Sequence, residues 1–292
     1  MRRSAAASVV VVAAFLLAAC GGGSVPAPPS PAPPATIRAA VRPAVIDEVS
    51  RIAVLGDSIT LGVNACAADD RICGRASWAT GGTEVDSLAV RAAAQNPDAA
   101  VTALARDGAR LSTAIGNLDR VREARAELVI VFLGANDACA PSLAEMTDVA
   151  TFRSELEELL GALHADGARM LVVQVPDIEQ VWEQGHRNAK ALRVWASTPA
   201  CRSLLGDADD TGDAGSARRQ AVTDRVDAFN AAIAEVCTPA IACTTDGGAV
   251  HDYPFRSPEL SPIDFFHPSE LGQSVIAGLV WDALESVPAR AG

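Results

Sequence analysis

Ser58 stands where a serine can act as a nucleophile. It follows the apolar, β-branched run 51–55, which reads as a buried strand, and the turn Gly56-Asp57-Ser58 that ends it. Open α/β sheets place their ligands at the carboxyl ends of parallel strands. The alternative is that Asp57 or Ser58 only caps the helix that follows. A serine hydroxyl needs an adjacent base at neutral pH, and the chain has four histidines. His164 falls on the polar side of a helix, and His186 lies among Glu183, Arg187 and Lys190, so both read as surface residues. His251, beside Asp252, and His267, three residues after Asp264, remain as candidate bases. A carboxylate can hold one imidazole tautomer and stabilise the imidazolium. Asp264 can equally cap a helix that starts at Pro268. Asn136 offers an amide to developing negative charge, or is a turn residue after a strand. Gly108 suits close backbone approach, or is a plain turn glycine.

Three blocks, in order, carry a resemblance: Gly56-Asp57-Ser58-Ile59, Gly134-Ala135-Asn136-Asp137 and Asp264-Phe265-Phe266-His267-Pro268. Together they resemble the nucleophile, Gly-x-Asn-Asp and Asp-x-x-His blocks of the SGNH/GDSL hydrolase family, over residues 51–284. The family's glycine block is placed at 105–109. The resemblance implies Ser58 as nucleophile, His267 as base and Asp264 as the carboxylate that orients it. It implies an oxyanion hole made of the Asn136 side chain and the backbone N–H groups of Ser58 and Gly108. Asp57 and Asp137 read as holders of the neighbouring loops. Ser77-Trp78, and Cys139 directly after Gly134-Ala135-Asn136-Asp137-Ala138, look most like the phospholipase B and acyloxyacyl hydrolase branch.

The elements that must position these residues alternate along the chain. Apolar runs at 51–55, 100–105, 128–133, 170–175 and 240–244 read as strands. Helical patterns cover 112–125, 152–166, 217–236 and 269–284. Such alternation predicts an α/β fold, a three-layer α/β/α sandwich around a mainly parallel sheet of about five strands. The family resemblance adds the SGNH-hydrolase, flavodoxin-like form of that fold. Two insertions stand out, 64–82 and 177–216. The acidic tract 206–215 reads as a solvated loop, and the rest of 177–216 as a flank of the substrate.

Composition bounds the rest. A net charge of −12 removes the basic footprint that nucleic acid requires and disfavours a polybasic dock on anionic lipid. Residues 1–19 read as a secretory signal: Arg2-Arg3, then an apolar stretch ending in small residues. Leu17-Ala18-Ala19-Cys20 resembles a bacterial lipobox, which makes Cys20 a lipidation site and the membrane a partner. Residues 20–46 are then a proline-rich tether, and 47–288 the hydrolase domain. The six remaining cysteines suit disulfides in an exported chain. Closeness in sequence favours Cys66–Cys73 and Cys237–Cys243, leaving Cys139–Cys201, although spacing alone leaves other pairings open. No Cys-x-x-Cys pair or histidine-rich partner suggests a metal.

The resulting expectation is an exported, lipid-anchored serine esterase that needs no metal or organic cofactor. Its preferred substrates are lipid or lysophospholipid acyl esters. A polysaccharide O-deacetylase is the alternative enzyme. A surface binding protein with a silent triad is the alternative of another class. The sequence leaves the oligomeric state open.

Overall fold

Residues 41–66 and 71–289 are described by a computed structural model of the chain. The expected signal peptide, Cys20 and residues 20–40 of the tether lie outside them. Five parallel strands form the sheet: β1 (Arg51–Gly56), β2 (Ala100–Ala105), β3 (Leu128–Phe132), β4 (Arg169–Val172) and β5 (Cys243–Thr245). Their order is β2-β1-β3-β4-β5. This is the doubly wound order whose switch point lies between β1 and β3. Both central strands therefore lead into the turns that carry Ser58 and Asn136 to the crevice at that point.

Side chains alternate across a strand, so each central strand feeds two cores. Ala53, Leu55, Val129, Val131, Met170 and Val172 face one of them. There they meet the helices Val149–Ala165 and Asp213–Val236, through Leu156, Leu160, Val226 and the stacked pair Phe152–Phe229. Ile52, Val54, Leu128, Ile130, Phe132 and Leu171 face the other. The helices Leu88–Gln95 and Glu270–Ala283 cover that side with Leu88, Ile276 and Val280. The three layers follow directly, because a sheet apolar on both faces must be covered on both.

Several boundaries differ from expectation. The folded domain starts before residue 47: Val45 and Ile46 are wholly buried in the core of Ile52 and Val54, so the tether ends earlier. The helix expected over 112–125 is two, Leu111–Ile115 and Leu118–Ala124, parted at Gly116-Asn117. The acidic tract is a loop only as far as Gly212, where the 24-residue helix Asp213–Val236 begins. Pro268 does not open the last helix, because Ser269 is its cap and accepts from the Gly272 N–H. Helix Leu88–Gln95 was missed, as its buried stripe is only Leu88 and Ala92 within an alanine-rich run.

The three cysteine pairs are Cys66–Cys73, Cys139–Cys201 and Cys237–Cys243. Disulfides belong to oxidising compartments and fit an exported protein. Among the described residues no helix is long and apolar enough to cross a membrane.

Asp137 gives a prediction about stability. Burial pushes its carboxyl up to about 6, against the Thr147 hydroxyl and the charge of Arg110, which favour ionisation. The folded value exceeds the unfolded one, so the folded state binds the extra proton between them. The stabilisation is present below pH ~4 and is lost as pH rises through ~6, on the order of 2–3 kcal/mol. The thermal midpoint of the protein should therefore fall between pH 4 and 7. Asp137→Asn should flatten that slope, as melting curves at the two pH values will show.

Candidate active site

The Gly56-Asp57-Ser58-Ile59 block is built by a tight strand-to-helix turn. Asp57 caps the short helix Ser58–Leu61, its Oδ1 accepting from the Ile59 N–H at 2.9 Å. A Cβ on Gly56 would lie 2.1 Å from Thr60 Oγ1, so only glycine lets β1 turn this sharply. Ser58 is thus both the first helical residue and, at 6% exposure, nearly buried. Gln273, fully buried, clamps the turn: it donates to Ile59 O at 2.9 Å and accepts from Trp78 N–H at 2.9 Å. Ser77 Oγ donates to Thr60 O at 2.7 Å, and Trp78 packs edge-on against Phe132. The Ser77-Trp78 stretch is therefore a buttress behind Ser58.

Asn136 follows β3 through Gly134, whose φ is +114° and whose missing Cβ makes room for Val175. Its amide donates to Asp57 Oδ2 and to Ala109 O, both at 3.1 Å. These two bonds tie together the loops after β1, β2 and β3. Both amide hydrogens have protein partners, so donation to a substrate oxygen requires one of them to be shared. Burial raises the Asp57 carboxyl to about 6. The Ile59 N–H and the charge of His267 oppose that rise, while Asp107 adds to it. Gly108, with φ +71°, is exposed on the loop whose next residue Asn136 grips, and it does not line the cavity.

Asp264 and His267 meet through His267 Nδ1 and Asp264 Oδ2 at 2.6 Å. Asp264 Oδ1 accepts from the N–H groups of Phe266 and His267, at 3.0 and 3.1 Å. Burial opposes ionisation of this carboxyl. The His267 bond and charge, the Asn64 amide and the Phe266 N–H outweigh it and hold the group below the usual carboxylate range. With Nδ1 donating to a carboxylate, Nε2 is left as the acceptor. The insertion grips this loop from outside. Trp195 Nε1 donates to Asp264 O at 3.1 Å, and Lys190 Nζ donates to Pro262 O at 2.9 Å. Phe265 between them is held at φ 55°, a costly conformation for a residue with a side chain.

Ser58, Asn136 and His267 line a single cavity of about 680 Å³, mouth included. Asp264 lies behind His267. Most of the remaining wall is apolar, including Phe132, Ile178, Val181, Phe255, Leu260 and Phe266. No hydrogen bond joins Ser58 to His267 among the described residues; such bonds are commonly long before substrate is bound. The rival histidine is elsewhere. His251 Nδ1 faces Val175 O at 2.9 Å, and its Nε2 lies 3.6 Å from Asp227. His164 is exposed as expected. His186 is only half-buried and stacks on Trp182 at 4.0 Å.

The sequence profile of the GDSL-like lipase/acylhydrolase family matches residues 54–275, well over half of the chain. The chain belongs to that family. It is an ester hydrolase of the GDSL type. No curated protein matches it. TesA is similar in structure, at 19% identity and a TM-score of 0.51, over 81% of this chain and 99% of that one. A G-D-S-L family protein from Desulfitobacterium hafniense DCB-2 is similar at 12% identity and a TM-score of 0.50, over 80% and 99%. At such identities the likeness is one of fold. The contacts of Asn64, Gln273, Lys190 and Trp195 in this GDSL hydrolase lie outside the three motif blocks, and no spacing in the sequence marks them.

Proposed function

We propose that the enzyme is a serine esterase acting on esters with apolar acyl chains, lipid or lysophospholipid esters among them. Ser58 Oγ attacks the acyl carbonyl as His267 Nε2 takes its proton. Asp264 holds the imidazole through Nδ1 and stabilises the imidazolium. The Ser58 N–H, the Asn136 amide and the Gly108 N–H are the proposed oxyanion donors, with Gly108 requiring a shift of its loop toward the cavity. The alcohol leaves with the proton from His267. Water then enters and gives a proton to His267 as its oxygen attacks the acyl carbonyl; the bond to Ser58 Oγ breaks, that proton passes to Ser58 Oγ, and the acid leaves. Three dispersed residues support this reading, since Ser58 and His267 share one cavity while Asp264 braces the imidazole.

The substrate preference rests on one observation, the apolar cavity wall. Sugar hydroxyls would find few partners there, whereas an acyl chain would leave water. Each buried methylene contributes ~0.8 kcal/mol, so kcat/KM should rise by up to ~4-fold per methylene until the cavity is filled. Hydrolysis rates on p-nitrophenyl esters from acetate to palmitate test this. A maximum at acetate that falls with every added carbon would favour the O-deacetylase instead, and no turnover on any ester would favour a binding role. Export and anchoring through Cys20 belong to the same proposal, supported by the lipobox-like Leu17-Ala18-Ala19-Cys20 and by the three disulfides.

A further inference from the structure

The Asp264 carboxylate receives a donor that none of the motif blocks supplies. Asn64 Nδ2 donates to Asp264 Oδ2 at 2.6 Å. That oxygen is the one His267 Nδ1 contacts, also at 2.6 Å. With the Phe266 and His267 N–H groups on Oδ1, the carboxylate has four donors, and Asn64 is the one that competes directly with the imidazole.

Asn64 is itself firmly mounted. Its backbone lies in the left-handed region at φ 53°, which asparagine tolerates better than most residues. Its N–H donates to Arg71 O at 2.7 Å, and its carbonyl accepts from the Ser261 hydroxyl at 2.6 Å. Val63 and Ile72 pair in an antiparallel bridge, and the Cys66–Cys73 disulfide closes the same loop. The amide is thus pinned to the disulfide loop on one side and to the segment leading into Asp264 on the other.

We propose that Asn64 is a positioning residue for ester hydrolysis, its amide fixing the Asp264 carboxylate against His267 and sharing the charge on Oδ2. The proposal rests on reading Ser58, His267 and Asp264 as the reacting set. A carboxylate oxygen shared between two donors offers less to each. Without the amide, more of its charge falls on the imidazole N–H and favours the imidazolium. The imidazole must be neutral to accept the Ser58 proton, so losing Asn64 moves the acid limb of activity to higher pH. Losing the brace also lets the carboxylate turn, which lowers kcat more than it changes KM.

Other charges face His267. Asp57 and Asp177 share its cavity, Lys190 lies behind the loop at Pro262, and the Arg75–Glu270 pair sits at the start of the helix that follows. Asp57, raised to about 6, also titrates in the range of interest. All of these are unchanged in Asn64 variants, so a difference between variants belongs to position 64.

The test compares pH profiles of kcat/KM on one p-nitrophenyl ester, with melting curves alongside. Asn64→Gly removes the amide and suits φ 53°, so its effect is not one of backbone strain. It should move the acid limb up by about half a pH unit and lower kcat roughly 10-fold. Asn64→Asp keeps the shape, replaces the donor with a second negative charge, and should move the limb further, by about one unit. A purely structural Asn64 would lower the melting temperature and leave both limbs in place, which overturns the proposal. Should Asn64→Gly not fold, the isosteric Asn64→Asp decides alone. Ser58→Ala and His267→Ala run in the same assay. If either keeps full activity, the triad reading fails and this proposal falls with it. If both are dead and the Asn64 limbs do not move, only the role of Asn64 is wrong.

Discussion

Ser58→Ala is expected to abolish ester hydrolysis, by at least ~10⁴-fold in kcat, without loss of the fold. The residue is small, nearly buried and on the first turn of a four-residue helix. That turn is held by Asp57, Gln273 and Ser77 rather than by the Ser58 hydroxyl. Alanine therefore removes the attacking oxygen and little else, and the melting temperature should stay close to that of the parent. Binding should survive as well. An inhibitor that rests in the apolar cavity without reacting should bind the variant with a Kd near the parent value. Full activity in Ser58→Ala would remove Ser58 from the mechanism and leave the cavity without its nucleophile.

The second large effect separates the two histidines. His267→Ala should lose nearly all activity, because among the described residues no other histidine lines the cavity with Ser58. His251→Ala should keep most of it. His251 is engaged with Val175 O, Asn230 and Asp227, so its loss should instead lower the melting temperature. The parent's activity should rise with pH, as the base must be neutral to take the Ser58 proton. Asp57 ionises near 6 and contacts Asn136, so part of the rise below neutrality belongs to that carboxyl. The pH profile therefore serves for comparing variants, and the identity of the base rests on the histidine pair. A dead His251→Ala beside an active His267→Ala would overturn the assignment.

Much of the architecture was legible in the sequence, for a simple reason. A strand covered on both faces must be apolar along its whole length. The runs at 51–55 and 128–133 accordingly coincide with β1 and β3 to within a residue, while the edge strand β2, mostly exposed or half-buried, matches its apolar run 100–105 without that cover. β5 was placed early, since only Cys243–Thr245 pairs and the residues before it form a 3₁₀ turn. The motif blocks were legible too, because Gly56 is demanded by its near neighbour Thr60 and Gly134 by its own left-handed backbone at φ +114°. The cysteine pairs that closeness in sequence favours are the ones formed, although spacing alone left other pairings open.

What only the tertiary structure decided lies at long range. Asp264 and His267 are three residues apart, yet the Asn64 amide that shares their oxygen comes from 200 residues away. Gln273 reaches the turn at Ser58 across 214 residues. Trp195 and Lys190 bind backbone carbonyls of the Asp264 loop, contacts with no side-chain pattern to betray them. The two histidines differ in the same way: both have an aspartate nearby in sequence, and the fold puts only His267 on the wall shared with Ser58. Sequence determines which local turns and buried strands can form, because neighbouring residues fix those energies. Which polar groups converge across the crevice depends on how the packed layers bring distant loops together.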